Sequence, residues 1–70
     1  DTNLTSASLE NADLRYALLV DANLSNAILT GADLTEAILT NTILTGANLE
    51  NAILTNAILN CIDHSICESD

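Results

Sequence analysis

Leucine occupies every fifth position of this chain from Leu4 to Leu59, without a gap. Two residues before each of these twelve leucines lies a small residue, which is alanine ten times and threonine at Thr2 and Thr42. A strict internal repeat constrains a fold more than local propensities do, because each copy adopts the same conformation and stacks on its neighbours. The fold therefore has to be derived from the period of five.

A five-residue period suits neither a continuous helix nor a continuous strand. Residues of an α-helix turn by about 100°, so leucines five apart would step by roughly 140° and spread around the whole circumference. A strand alternates with a period of two, which an odd repeat breaks in every copy. The pattern predicts instead a short extended segment, with the leucine and the small residue on its inner side, followed by a bend that resets the phase.

The remaining positions of the repeat agree with this division. The residue after each leucine is mostly polar, and the fifth residue of most repeats is Asn, Asp, Gly or Ser. These residues tolerate turn dihedral angles and can bond their own backbone. Proline is absent, which leaves backbone N–H groups free to pair stacked coils. The predicted interior ladder includes Leu14, Leu24, Leu34, Leu44 and Leu54, with Ala12, Ala22, Ala32 and Ala52 beside them.

The consensus Ala-(Asp/Asn)-Leu-x-x resembles that of the pentapeptide-repeat proteins. Four repeats match it in full, namely Ala12-Asp13-Leu14, Ala22-Asn23-Leu24, Ala32-Asp33-Leu34 and Ala47-Asn48-Leu49. The resemblance implies an all-β fold, a right-handed quadrilateral β-helix with roughly twenty residues per coil. By that geometry residues 1–60 form about three coils. Residues 61–70 form a C-terminal cap, either a last partial coil or a short helix across the open end.

The cap departs from the repeat. Its centre positions are His64 and Ser69, which cannot continue an apolar ladder, while Ile62 and Cys67 still suit the inward slots. The chain begins at Asp1 without Met, which suggests a processed protein or an excised piece.

Stacking with a period of twenty places Leu18, Ile38 and Ile58 on one outer side, with Tyr16 at its edge. Aliphatic residues suit strands in any case, so a chance arrangement is one interpretation. The other is a contact surface for a second protomer, a terminal segment or a partner protein. That interpretation predicts a protein partner or self-association, with a homodimer as one form.

Ten acidic residues against one basic residue give a formal net charge of −9. We expect no direct binding to nucleic acid, because phosphates would be repelled, and the charge favours solubility. Members of the resembled family that mimic DNA and occupy DNA gyrase suggest an alternative function, an acidic regulator of gyrase or another topoisomerase. The acidic residues here are spread over several sides, which weakens that alternative. No membrane segment is visible in the sequence, so no membrane partner is expected.

Cys61 and Cys67 leave several alternatives open. A disulfide between them would pin the open end and imply an oxidising compartment, the periplasm or the thylakoid lumen, whereas two reduced thiols would favour the cytoplasm. Cys61, His64 and Cys67 have a spacing that could hold a metal with Asp63, but they supply only one short motif. A thiol nucleophile with His64 as its base would need a pocket that a smooth repeat does not provide. We predict no enzyme activity, no metal and no cofactor, and a non-catalytic structural or protein-interaction module.

Overall fold

The computed structural model describes residues 2–67 of the 70-residue chain. Ser69 and the rest of the predicted cap beyond Cys67 lie outside the described residues, as does Asp1. Within residues 2–67 the chain contains no helix and no strand longer than a single bridge residue. Its regular structure consists of isolated parallel β-bridges separated by β-turns.

The bridges form four columns, one for each side of a twenty-residue coil. They pair residues twenty apart, except for the last bridge described below, in the columns Asn3–Asn23–Ile43–Ile62, Ser8–Ile28–Asn48, Asp13–Asp33–Ile53 and Leu18–Ile38–Ile58. Backbone hydrogen bonds run between successive rungs of each column. The N–H of Leu14 donates to the Asp33 carbonyl at 2.8 Å, and the N–H of Asp33 donates to the Ala12 carbonyl at 2.9 Å. Successive coils are thereby paired with each other.

A β-turn forms the corner between neighbouring sides. The N–H of the small residue donates to the carbonyl of the preceding leucine, as from Ala37 to Leu34 at 3.0 Å. The third residue of every turn from Ser6 to Asn56 has a positive φ, between 59° and 72°. A positive φ at this position alone is the pattern of a type II turn. The bend predicted at the fifth residue of the repeat is confirmed at every corner from Ser6 to Asn56.

Two of these corner residues are of an unexpected type. Tyr16 (φ 65°) and Glu36 (φ 62°) lie twenty residues apart and so stack in one corner column. All other corners from Ser6 to Asn56 hold Asn, Asp, Gly or Ser. A bulky side chain in the left-handed region costs about 1 kcal/mol, because its Cβ crowds the following carbonyl and it lacks the local hydrogen bond of Asn or Asp.

Both glycine corners are tightly packed as well as left-handed, and Gly31 is an example. The side-chain oxygen of Asn11 lies where a Cβ on Gly31 would have to sit. The glycine therefore makes room for the asparagine of the preceding coil, in addition to accepting a φ of 72°.

Leucine side chains fill the interior, most completely in the middle coil. Five of them are each 1% exposed, namely Leu24, Leu29, Leu34, Leu39 and Leu44. Among the residues expected in the ladder, Ala22 and Ala32 are also buried, while Leu14 and Ala12 in the first coil and Leu54 and Ala52 near the end of the third coil are half-buried. The difference arises because an end coil is covered on one side only. Thr42 occupies an alanine slot and is fully buried, and its hydroxyl donates to the Leu19 carbonyl, which satisfies the polar atom.

The winding shortens by one residue at its last corner. Ile62 pairs with Ile43, nineteen residues before it, and its N–H donates to the Thr42 carbonyl at 2.8 Å. No turn forms at residues 60–61, so the inward slot passes to Cys61, which is 8% exposed. Ile62 faces outward and is 45% exposed. The prediction that Ile62 points inward is wrong, because it assumed that the five-residue phase continues through this corner.

Candidate functional site

The outward Asn and Asp residues of the bridge columns brace the turns that follow them. Asn23 Oδ1 accepts hydrogen bonds from the N–H and the hydroxyl of Ser25, at 3.0 and 2.7 Å. Backbone N–H groups two residues on donate in the same way at four more sites, where the acceptors are Asn3, Asp13, Asp33 and Asn48. These contacts are local Asx-type turns, so a structural role accounts for this set of polar side chains.

Arg15, the single basic residue of the chain, pairs with Asp13. Its Nε and Nη2 donate to the two carboxylate oxygens of Asp13, each at 2.9 Å. Hydrogen bonds from the guanidinium, followed by that from the Arg15 backbone N–H, lower the pKa of Asp13 from 3.8 to about 2. The same pairing raises the pKa of Arg15. Both side chains are more than half exposed, so salt screens this contact.

An apolar surface lies on the side that carries Leu18. We call Tyr16, Leu18, Ile38 and Ile58 the Leu18 face. Tyr16 is 68% exposed, Leu18 74% and Ile58 47%, and Ile38 is half-buried between the two bridge partners. The bridges hold the three aliphatic side chains on successive rungs, about 5 Å apart. The structure thus brings together the residues expected to form an interaction face.

Sequence reasoning did not include Glu36 in this surface. Glu36 occupies the corner next to Tyr16 on the following coil, and it shares the positive φ. The sequence did contain an indication of this surface, because Tyr16 and Glu36 differ from the Asn, Asp, Gly and Ser residues of the other corners.

The cap is a closed loop. Cys61 and Cys67 are bonded to each other as a disulfide, with their Cα atoms 4.9 Å apart. Cys61 and Cys67 pack against the interior, together with Ile66. Because both sulfurs are engaged, neither cysteine is available as a thiolate nucleophile or a metal ligand. Within residues 2–67 no group of three or more His, Cys, Asp and Glu side chains is placed to hold a metal ion.

His64 extends the backbone pairing of the last coil at one carbonyl. Its Nε2 lies 3.1 Å from the Ala47 carbonyl, and its Nδ1 accepts the N–H of Ile66 at 3.3 Å. An accepting Nδ1 means that Nε2 carries the proton and donates to Ala47. In the preceding coil the carbonyl at the position equivalent to Ala47 is that of Ala27, which accepts a hydrogen bond from the backbone N–H of Asn48. The imidazole N–H therefore replaces a backbone N–H of a further coil. The sequence did not predict this contact, because no residue pattern marks the shortened corner on which it depends.

A shallow cleft of about 500 Å³ separates the cap from the last coil. Its lining consists of Ala47, Asn48, Leu49, Glu50, His64, Ser65 and Ile66. The titratable groups there are Glu50 and His64, and both imidazole nitrogens already make hydrogen bonds. General acid or base catalysis by His64 would require breaking the contacts that hold the cap in place.

The carboxylates of residues 2–67 do not concentrate on one side. They lie on the side of the Ser8 column (Glu10, Glu50), on the side of the Asp13 column (Asp13, Asp33), at two corners (Asp21, Glu36) and in the cap (Asp63). In the part of the chain that the structure describes, no helix is long and apolar enough to cross a bilayer.

Comparison with known proteins agrees with the repeat and the turns. The sequence profile of pentapeptide repeats matches this chain in eight copies, over residues 2–41, 17–56 and 39–63. Among curated proteins, none matches the chain. Pentapeptide repeats generally form a right-handed β-helix, and proteins built from them are typically non-enzymatic structural or interaction modules. Because the matches cover most of the sequence, the chain belongs to the pentapeptide-repeat family.

Proposed function

We propose that this protein is a rigid, non-catalytic module for protein interaction. The proposed architecture is a right-handed quadrilateral β-helix of about three coils over residues 1–60, capped by residues 61–70. The twenty-residue bridge register, the turns from Ser6 to Asn56 and the family support it. The function is carried by one observation, the Leu18 face, where a hydrogen-bonded ladder holds apolar side chains that remain exposed.

A binding role suits the chemistry of the described residues better than catalysis. Catalysis needs a nucleophile, or an acid and a base, held beside a site for the reacting atom. Here the two cysteines are bonded to each other, the histidine bonds a backbone carbonyl of the last coil, and several outward polar residues brace turns. A surface recognised through shape and apolar contact requires none of these groups to be free.

The disulfide supports residence in an oxidising compartment, the periplasm or the thylakoid lumen. Disulfides persist where thiols are not kept reduced by glutathione and thioredoxin. The test is the intact mass of protein whose thiols are trapped by alkylation at the moment of lysis. We expect unalkylated protein that gains about 2 Da on reduction. Alkylated Cys61 and Cys67 in the trapped sample would assign the protein to a reducing compartment.

The alternative function, a DNA-mimic regulator of gyrase or another topoisomerase, draws support from the net charge of −9 alone. A mimic of the duplex must present regularly spaced negative charge along a continuous surface. The acids of this chain alternate with apolar bridge residues such as Ile28 and Ile53, and Asp13 is neutralised by Arg15. We therefore do not adopt this alternative.

The interaction module is tested by site-specific photocrosslinking. Benzoylphenylalanine replaces Ile58 on the Leu18 face in one variant and Ile28 in the control, which lies two corners away along the coil. The two positions are matched, because Ile58 is 47% and Ile28 40% exposed. We expect a discrete crosslinked partner protein from position 58 and none from position 28. The purified partner should bind the purified chain saturably and should bind the Leu18→Thr variant less tightly. Equal crosslinking from both positions would contradict the proposal.

A further inference from the structure

The Leu18 face combines exposed aliphatic groups with a strained aromatic corner and a border of carboxylates. We propose that it binds a short basic peptide segment in which arginine alternates with aliphatic residues. This inference rests on the proposed interaction function and names the class of partner. It is carried by three observations, namely the residue types at one corner, the spacing of the apolar groups and the sign of the charge.

The corner residues point to a function at this edge. Tyr16 and Glu36 both have positive φ, in a corner column that borders the Leu18 face. The fold does not require these residue types, because Asn, Asp, Gly and Ser form the same corner elsewhere, including Asn56 in the same column. Strained residues at exposed positions that the fold does not require are typical of functional surfaces. Both corner residues of exceptional type therefore mark the same surface.

The spacing of the apolar groups fits an extended peptide. On the first rung Tyr16, Leu18 and Val20 alternate with inward residues, and they are 68%, 74% and 43% exposed. Alternate side chains of an extended chain are about 6.7 Å apart, so every second side chain of a peptide laid along this rung has the same spacing as the side chains of the rung. Ile38 and Ile58 extend the apolar surface over the next two rungs. The side chains between the aliphatic ones then point away from the face, and a long side chain such as that of arginine can fold back from there to the carboxylates at the corners.

The charge at those borders selects a cationic partner. Asp21 occupies the corner beyond Val20, and Glu36 occupies the corner beside Tyr16. The chain carries a net charge of −9, and its one arginine is already paired with Asp13. A basic segment meets carboxylates on both sides of the apolar stripe, and the surrounding field raises its rate of association.

A second copy of this chain fits the face poorly. It would bring the same negative charge against the same surface, and like charges across an interface oppose association. The face measures about 10 Å across three rungs and about 13 Å along one rung, so its area is on the order of 130 Å². A stable dimer buries about 800 Å² per partner. The area therefore suits a few side chains of a peptide.

The corner pair favours arginine over lysine. The exposed Tyr16 ring offers a face on which a planar guanidinium can stack. A carboxylate such as that of Glu36 accepts two parallel hydrogen bonds from a guanidinium, whereas an ammonium group binds as a point charge.

The test titrates an acetylated and amidated peptide of three Arg-Val repeats into isotopically labelled protein, followed by NMR. We expect saturable shift changes centred on Leu18, Ile38 and Ile58, with weaker binding at high salt. Ile58→Thr should raise Kd about tenfold, and Tyr16→Asn and Glu36→Asn about fivefold each. Ile28→Thr, on a different side, should change Kd less than about twofold. A peptide of Lys-Val repeats should bind more weakly, and one of Glu-Val repeats should not bind.

Thermal melts separate binding from folding. Tyr16→Asn relieves the corner strain, so it should raise the melting temperature while it weakens peptide binding, whereas a purely structural residue would move both in the same direction. The inference is overturned by absent saturation, by shifts centred on another side, by equal losses in Ile28→Thr and Ile58→Thr, or by a dimer that Ile58→Thr dissociates. If photocrosslinking at position 58 captures a partner without such a basic segment, the interaction module stands and this inference falls.

Discussion

Replacing Leu34 with aspartate should unfold the protein at neutral pH. Leu34 is 1% exposed in the middle coil, with leucines stacked above and below it. Removing a buried leucine side chain costs about 2–5 kcal/mol, and leaving an unpaired carboxylate in a dry interior costs several kcal/mol more. A 70-residue domain has a total stability of about 3.5–10 kcal/mol. The sum of the two losses is comparable to or larger than the total.

Position in the coil stack provides a matched control. Leu14 lies in the same interior column one coil earlier, but it is half-buried, so an aspartate there can reach water. Urea denaturation followed by far-ultraviolet circular dichroism should give a folded Leu14→Asp protein with reduced stability, and no cooperative transition for Leu34→Asp. Leu34→Ala, which creates a cavity without a charge, should remain folded and lose about 2–5 kcal/mol.

The charge and cavity contributions differ in their pH dependence. Burial raises the pKa of a carboxyl above its unfolded value. The destabilisation by Leu34→Asp should therefore grow as pH rises from the unfolded pKa toward the folded pKa, while that of Leu34→Asn should stay constant. A Leu34→Asp protein that melts within about 5 °C of the parent at neutral pH would refute the assignment of Leu34 to a dry interior.

Three further outcomes are expected. Tyr16→Asn should raise the free energy of unfolding by about 1 kcal/mol and the melting temperature by about 4–8 °C in thermal melts, whereas Tyr16→Phe should leave both unchanged because it keeps the corner strain. Reducing the disulfide between Cys61 and Cys67 should lower the free energy of unfolding by about 2 kcal/mol in urea titrations, the chain-entropy value for a loop of about seven residues. In Arg15→Gln, NMR titration should show the pKa of Asp13 rising from about 2 toward 3.8. The stabilisation by this ion pair should be complete above pH 3.8 and should disappear as pH falls through about 2, with a smaller effect at high salt.

The periodic part of the structure follows from the sequence, because one physical requirement recurs in every repeat. A leucine and a small residue must face inward, and the fifth residue must accept a left-handed turn. Asn26 and Asn41 satisfy the turn requirement by residue type, and both have positive φ. Tyr16 and Glu36 adopt the same turn against their own preference, because the backbone hydrogen bonds of the neighbouring coils set the conformation of the corner.

The end of the coil stack could not be predicted in the same way. The sequence continues to place Ile62 on the inward phase, but a corner one residue shorter places Cys61 there. Whether a corner forms a full turn depends on which backbone groups can pair there. At this corner the N–H of Ile62 donates to the Thr42 carbonyl. The role of His64 depends on that shortened corner, since its imidazole reaches the Ala47 carbonyl where a regular coil would supply a backbone N–H. No local pattern encodes such a contact, because it joins residues seventeen positions apart.

The strictness of the repeat also explains where functional information can reside in this protein. Inward positions are constrained by packing, and corner positions by the left-handed turn, so a residue that obeys these constraints says little about function. A residue that violates them does so at a cost in stability, and such local violations are expected at functional sites. Tyr16 and Glu36 are such violations, and they stack beside the most exposed aliphatic side chain of the described residues, Leu18. Function is therefore best sought where the repeat departs from its own rule, and both corner departures lie on the border of the Leu18 face.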